Sequence, residues 1–102
     1  YKSKPKMDFE RLSEIRAQLD IPLVMHGGSG LSDEDFKMAV KCGMNKINAY
    51  TNLAIKVVDD MRTAIPALPE KTPLTPLYDL LIKAGITEVK RHIKLFNTRP
   101  LA

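Results

Sequence analysis

The sequence has one cysteine, Cys42, so no internal disulfide framework can hold it together. That usage fits a reducing, cytosolic compartment. No run of about 18 apolar residues occurs, so no hydropathy-defined membrane helix is expected. The basic opening Tyr1-Lys2-Ser3-Lys4-Pro5-Lys6 has no apolar segment behind it, and a secretory signal is therefore not expected. There is no internal repeat and no low-complexity tract. Aromatic residues amount to 6%, and Phe9, Phe36, Tyr78 and Phe96 fall in helical patterns. They do not sit among basic residues on a strand face, which argues against stacking on nucleic-acid bases.

The remaining composition is that of a folded chain. Hydrophobic residues make up 44% of 102 residues, enough for one small domain or a portion of a larger one. The formal charge of +4 suits an anionic small substrate. Lys2, Lys4, Lys6 and Arg11 lie together and the other cations are spread along helices, so neither a nucleic-acid nor a membrane partner is expected.

The periodicity then sets the elements. Asp8 caps a helix with Phe9, Leu12, Ile15 and Leu19 as its buried stripe, and Asp20-Ile21-Pro22 ends it. Leu23-Val24-Met25 is a short apolar run expected to be a strand buried on both faces, as in parallel sheets. Ser32 with Asp35 forms a capping box, and Leu31 and Phe36 occupy staple positions. Phe36, Ala39 and Val40 form that helix's stripe, and Gly43 fits its left-handed end. Met44 to Tyr50 alternates, with Ile47 and Ala49 on one face and Lys46, Asn48 and Tyr50 on the other. A helix from about Asn52 is stopped by Pro66, and a connector runs from Ala67 to Pro73. Thr75 and Pro76 open a short helix closed by Gly85. A last helix, from about Thr87 to Phe96, turns Val89, Ile93 and Phe96 inward. Helix and strand alternate, which predicts an α/β fold with parallel strands. Two strands cannot make a sheet covered on both faces, so a larger α/β protein or a partner chain is expected to complete it.

Two strand ends carry the chemistry. One stops at His26-Gly27-Gly28-Ser29-Gly30 and the next at Lys46-Ile47-Asn48-Ala49-Tyr50-Thr51. Glycines expose backbone N–H groups, and the Ser and Thr hydroxyls add donors, so Gly28, Ser29, Asn48 and Thr51 suit a phosphate dianion. A tight turn explains the glycines as well, and spacing alone does not choose between the two. His26 is a candidate metal ligand, although a lone histidine is more often a core or surface residue. His92, beside Lys90, Arg91 and Lys94, reads as a solvated helix residue.

Taken together, Pro22-Leu23-Val24-Met25-His26-Gly27-Gly28-Ser29-Gly30-Leu31, Asp35, Ala39, Gly43, Lys46-Ile47-Asn48 and Thr51 resemble the last two barrel strands of the class II ketose-bisphosphate aldolases. The family pattern is an apolar strand, His-Gly-Gly-Ser-Gly, a helix, then Gly-x-x-Lys-x-Asn-x-x-Thr. Tyr1 to Ile15 is similar to the segment after the sixth strand. Tyr78-Asp79-Leu80-Leu81 and the Lys90 to Phe96 helix are similar to the family's C-terminal end. The resemblance covers essentially the whole chain.

It implies that residues 1–102 are the C-terminal part of a (β/α)8 TIM barrel. It also implies a metal-dependent lyase that cleaves a ketose 1,6-bisphosphate, most simply fructose 1,6-bisphosphate, to dihydroxyacetone phosphate and glyceraldehyde 3-phosphate. By the same resemblance His26 is one of three zinc histidines. Gly27 faces the ketose or a monovalent cation, Gly28 and Ser29 bind the phosphate, Asn48 bonds near the reacting carbons and Thr51 completes the phosphate site. The family's catalytic Asp and the other two histidines have no counterpart here, so the chain alone is expected to be inactive. Homodimers or homotetramers are usual in the family. Many fructose-bisphosphate members carry Asp where this chain has Tyr50, so tagatose 1,6-bisphosphate remains an alternative substrate. A non-catalytic sugar-phosphate-binding fragment remains an alternative role.

Overall fold

In the computed structural model, residues 5–101 are described. A loop is expected over the first six residues, Tyr1 to Lys6, of which residues 1–4 lie outside the described residues. The elements, in chain order, are α1 (Phe9–Gln18), β1 (Leu23–Met25), α2 (Asp33–Lys41), β2 (Met44–Ile47), α3 (Thr51–Ala64), a 3-10 turn (Ile65–Ala67) and α4 (Leu74–Leu95). The order is α/β, and β1 and β2 pair in parallel. The chain divides into two compact units, residues 1–49 with 93–102, and residues 50–92.

In the first unit, each helix begins where its sequence offers a cap. Asp8 accepts from the Arg11 backbone N–H at 2.8 Å and opens α1. Ser32 and Asp35 close a reciprocal box on α2, which satisfies donors that the first turn leaves without helical partners. Leu31 and Phe36, the staple pair, are both buried in one cluster with Met25 and Leu95. Phe96 meets Phe36 edge-on with ring centroids 5.5 Å apart, a favoured aromatic geometry. Arg16 closes the other end of α1. Its Nη1 donates to the carbonyls of Leu19 and Ile21 at 3.0 and 3.1 Å, and its stem lies over Gly43.

The strand register is Leu23 with Met44, Val24 with Lys46 and Met25 with Ile47, with a shift after the first pair. The shift passes over Asn45, whose Oδ1 accepts from the Leu23 N–H at 3.0 Å. A side-chain amide thus supplies an acceptor at the irregularity in the ladder. Met25 is buried and Ile47 packs against the same cluster.

Four expectations about burial and extent are corrected. Val24 is 48% exposed, so β1 is covered on one face rather than two. In α1 only Leu12 is buried, while Ile15 and Leu19 each stand 41% exposed. Leu19 also lies beyond the helix, in extended conformation. β2 ends at Ile47 rather than Tyr50, although exposed and half-buried residues continue to alternate through Tyr50.

In the second unit, α3 stops at Ala64 and Pro66 falls inside the 3-10 turn, because its ring cannot continue the helical ladder. The two short helices expected after Pro73 are one helix of 22 residues, whose last three residues belong to the first unit. Thr75 is its second residue, not its cap, and Pro76 is its third, where the missing N–H has no helical acceptor in any case. Gly85 is absent from the positive-φ glycines and lies mid-helix. Its cost of about 1 kcal/mol against alanine is too small to break a long helix.

The inward face of α4 also differs from expectation. Val89 and Ile93 are each 46% exposed, whereas Glu88 and His92 are buried at 3% and 6%. His92 is therefore not a solvated residue. Its Nδ1–H donates to the Glu88 carbonyl at 2.9 Å and lies 3.4 Å from the Glu88 carboxylate, which also accepts from Arg91 Nε at 2.8 Å. Only a paired carboxylate is tolerated at such depth, and one of the basic neighbours that made the segment look solvated, Arg91, is its partner.

Elsewhere, surface cations are matched along the helices. Arg11 meets Glu14, Lys37 meets Glu34, Lys56 meets Asp60 and Arg62 meets Asp59. Hydrogen bonds and charge from Glu34 and Asp60 hold the Lys37 and Lys56 ammonium groups above the ordinary lysine range. No helix among the described residues is long and apolar enough to cross a membrane.

Gly43 and Gly85 make opposite predictions. Gly43 has φ +102°, and a Cβ there would lie 2.4 Å from Arg16 Cγ. Gly43→Ala should destabilise by about 1–3 kcal/mol. Gly85 has open space around it, and Gly85→Ala should stabilise by about 0.5–1 kcal/mol. Chemical denaturation of both variants, read by circular dichroism, checks the opposite signs.

Candidate functional site

The site is built at the carboxyl ends of β1 and β2. Parallel pairing brings these two ends side by side, and the Asn48 N–H donates to the Met25 carbonyl at 3.0 Å just past the last strand residues. In extended chain, side chains alternate between faces. Met25 and Ile47 face the apolar cluster, whereas Val24, His26, Lys46 and Asn48 are exposed. The polar groups thus stand on the face away from the core.

His26 and Asn48 touch. The Asn48 amide nitrogen lies 3.0 Å from His26 Nδ1 and 3.3 Å from Nε2. The Lys46 ammonium donates to the amide oxygen of Asn48. His26 and Asn48 are 22 positions apart in the chain, and the strand pairing joins them.

The glycine loop proves to be a tight turn. The Leu31 N–H donates to the Gly28 carbonyl at 3.2 Å, closing a four-residue turn with Ser29 and Gly30 at its corners. Gly30 has φ +87°, the geometry that a type II turn demands at its third position. Gly27, at φ +72°, is exposed, and Ser29 is half-buried. Gly28 is buried for a different reason. A Cβ on it would stand 3.0 Å from Phe36 Cε1 and 3.4 Å from Met25 Cε, so the backbone of the loop rests on the core itself.

Thr51 lies in the second unit, as the first residue of α3. This helix start contrasts with those of α1 and α2. Asp8 caps α1, and α2 carries a full box with Asp33, Glu34 and Asp35 in its first turn. At α3 the N-cap residue Tyr50 makes no capping side-chain bond, and the first turn holds no acid. Its amide donors and the positive end of its dipole are therefore not neutralised by local carboxylates, which suits an anion.

The expected site residues are thus placed as follows. His26, Gly27, Gly28, Ser29 and Asn48 belong to the first unit and Thr51 to the second. Sequence reasoning gave Lys46 a place in the motif but no role. Its spacing of two from Asn48 on a strand, which puts both on one face, was the available signal. A metal fits this chain only in part. The exposed imidazole of His26 is an ordinary donor for zinc, but no group of three or more His, Cys, Asp or Glu could hold a metal ion among the described residues. A catalytic zinc needs about three protein ligands.

The family model for class II fructose-bisphosphate aldolase matches residues 1–99. The chain belongs to this family. A sulfofructosephosphate aldolase from Alkalicoccus urumqiensis is 36% identical over 98 residues, covering 96% of this chain and 34% of the relative. The crystal structure of the YdjI aldolase from Escherichia coli K12 superposes with a TM-score of 0.78 at 33% identity, covering 94% of this chain and 34% of that one. This class II aldolase chain therefore spans about a third of the length of the relatives it matches.

The contact between Gly28 and the core generates a prediction. Gly28→Ala should destabilise the chain by about 1–3 kcal/mol through overpacking against Phe36. Adding Phe36→Leu should recover part of the loss if that ring is the obstacle. Thermal melts of the single and double variants measure both effects.

Proposed function

We propose that the chain supplies the last two strands and the C-terminal helices of a (β/α)8 aldolase barrel. Within it, His26 is one ligand of a divalent metal, zinc by family resemblance. Gly27, Gly28, Ser29, Asn48 and Thr51 bind the phosphorylated end of the substrate. The reaction is the reversible aldol cleavage of a ketose bisphosphate, fructose 1,6-bisphosphate first, to dihydroxyacetone phosphate and glyceraldehyde 3-phosphate. The observation that carries this reading is the contact between His26 and Asn48 beside a glycine turn, at the carboxyl ends of parallel strands. Loops at this end of barrel strands are where such enzymes bind ligands.

The metal supplies Lewis-acid polarisation of the substrate carbonyl. The chain's own residues do the rest of what is assigned to it. The turn at Gly28 to Leu31 offers backbone donors and the Ser29 hydroxyl without steric bulk. The uncapped start of α3 offers further N–H groups at Thr51 and Asn52, where negative charge is stabilised. Asn48 offers its amide next to the ligand histidine. The acid–base residue and the other metal ligands come from outside these residues, so the 102-residue chain by itself is inactive. The complete enzyme is a cytosolic homodimer or homotetramer.

A second reading concerns the substrate. A relative 36% identical is a sulfofructosephosphate aldolase, and Tyr50 is 78% exposed where many fructose-bisphosphate members carry Asp. A sulfofructose phosphate or tagatose 1,6-bisphosphate would use the same phosphate-binding groups and differ at its other end.

In the complete enzyme, His26→Ala should abolish turnover and lower bound zinc. Ser29→Ala should raise KM about tenfold with a smaller effect on kcat, the loss of one hydrogen bond to a charged group. Steady-state kinetics with the three candidate substrates, together with metal analysis, test the assignment. Full activity and unchanged zinc in His26→Ala would overturn it.

A further inference from the structure

We propose that Lys46 is a positioning residue that fixes which way the Asn48 side-chain amide points. Its consequence for catalysis rests on the aldolase reading above, whereas the orientation itself rests only on the local geometry.

An amide has two nearly isosteric ends, an acceptor oxygen and a donor NH2, and its neighbours decide which way it turns. An ammonium group has donors and no acceptor. With the Lys46 ammonium against one end of Asn48, that end must be the oxygen, because a flipped amide would set NH2 against NH3+. The NH2 is then directed at the imidazole of His26, 3.0 Å from Nδ1 and 3.3 Å from Nε2. Remove Lys46 and only the protonation of the His26 ring nitrogens is left to distinguish the two orientations. The backbone N–H of Asn48 is committed to the Met25 carbonyl and fixes the main chain, not the amide flip.

The arrangement follows from the strand period. Lys46 and Asn48 are two residues apart and both exposed, while Ile47 between them packs on the core. The lysine sits on one side of Asn48 and the histidine of the neighbouring strand on the other. Lys46 thereby determines that Asn48 presents a donor, not an acceptor, to whatever binds beside His26. An oxygen that gains negative charge during aldol cleavage is stabilised by a donor and repelled by an acceptor. The lysine acts through the amide and needs no substrate contact of its own.

The test uses the complete enzyme loaded with zinc. Lys46→Met should lower kcat about tenfold, the value of one correctly oriented hydrogen bond, with KM and zinc content little changed. Lys46→Arg, which keeps a donor-only cation, should recover most of the rate. In a double-mutant cycle with Asn48→Ala, the two losses should not add. Losses that multiply, a change confined to KM, or failure of Lys46→Arg to rescue would each overturn the proposal, and a KM effect alone would mean that Lys46 binds substrate directly. If the wild-type enzyme shows no aldol cleavage, the functional reading has failed and the orientation is still measurable. Nitrogen-15 spectra of the Asn48 amide and the His26 ring should then shift in Lys46→Met and return in Lys46→Arg, and unchanged spectra would reject it.

Discussion

The parallel pairing of β1 with β2 is the interaction on which everything else depends. It is short, four residues on the longer strand, yet it ends with the Asn48 N–H on the Met25 carbonyl. That one rung places His26 and Asn48 side by side across a long stretch of sequence. The register has no freedom to slip, because Met25 and Ile47 are both needed in the apolar cluster and a one-residue slide would turn one of them outward. Asn45 absorbs the irregularity at the strand start, so the ends that carry the polar groups stay in step.

The helices around the sheet serve this pairing by setting where each loop begins. The box at Ser32 and Asp35 fixes the first turn of α2 immediately after the glycine loop. Leu31 and Phe36 anchor the same junction from the apolar side. Arg16 bridges the end of α1 to the residues entering β1 and covers Gly43, the residue entering β2. Both strands are therefore fixed at their starts by one side chain, and their ends are left to carry function. The open start of α3 fits the same division. α1 and α2 have N-termini closed by side chains, and α3, where a ligand is proposed, does not.

Much of this was legible in the sequence, and the reasons are local. Caps at Asp8 and Ser32, the left-handed glycine at 43 and the alternation from Met44 onward are each determined by residues within a turn of one another. The paired strand ends and the identity of His26, Gly28, Ser29 and Asn48 as site candidates followed from motif and spacing. What was not legible depended on neighbours distant in sequence or on small energy differences. Gly85 carries the composition of a helix end but not the geometry. His92 sits among cations, and its burial is set by its pairing with Glu88 rather than by any stripe. The exposed faces of Val24 and of α1 could not be read from hydrophobicity, which registers a tendency to be covered without saying by what. The hold of Lys46 on Asn48 needed side-chain positions that a period-two pattern only hints at.

The close approach of Gly28 to the Phe36 ring, which leaves no room for a Cβ, couples two kinds of selection that are usually separate. The loop proposed to meet a ligand is propped at a height set by the girth of an apolar residue on the following helix. Substitutions under the loop can raise or lower its donors by fractions of an ångström while every residue that faces the ligand stays the same. For the proposed substrates, which share a phosphate and differ at their other end, the interior thus offers a fine adjustment of reach, and divergence in specificity can leave its trace at position 36 without touching the His-Gly-Gly-Ser-Gly signature.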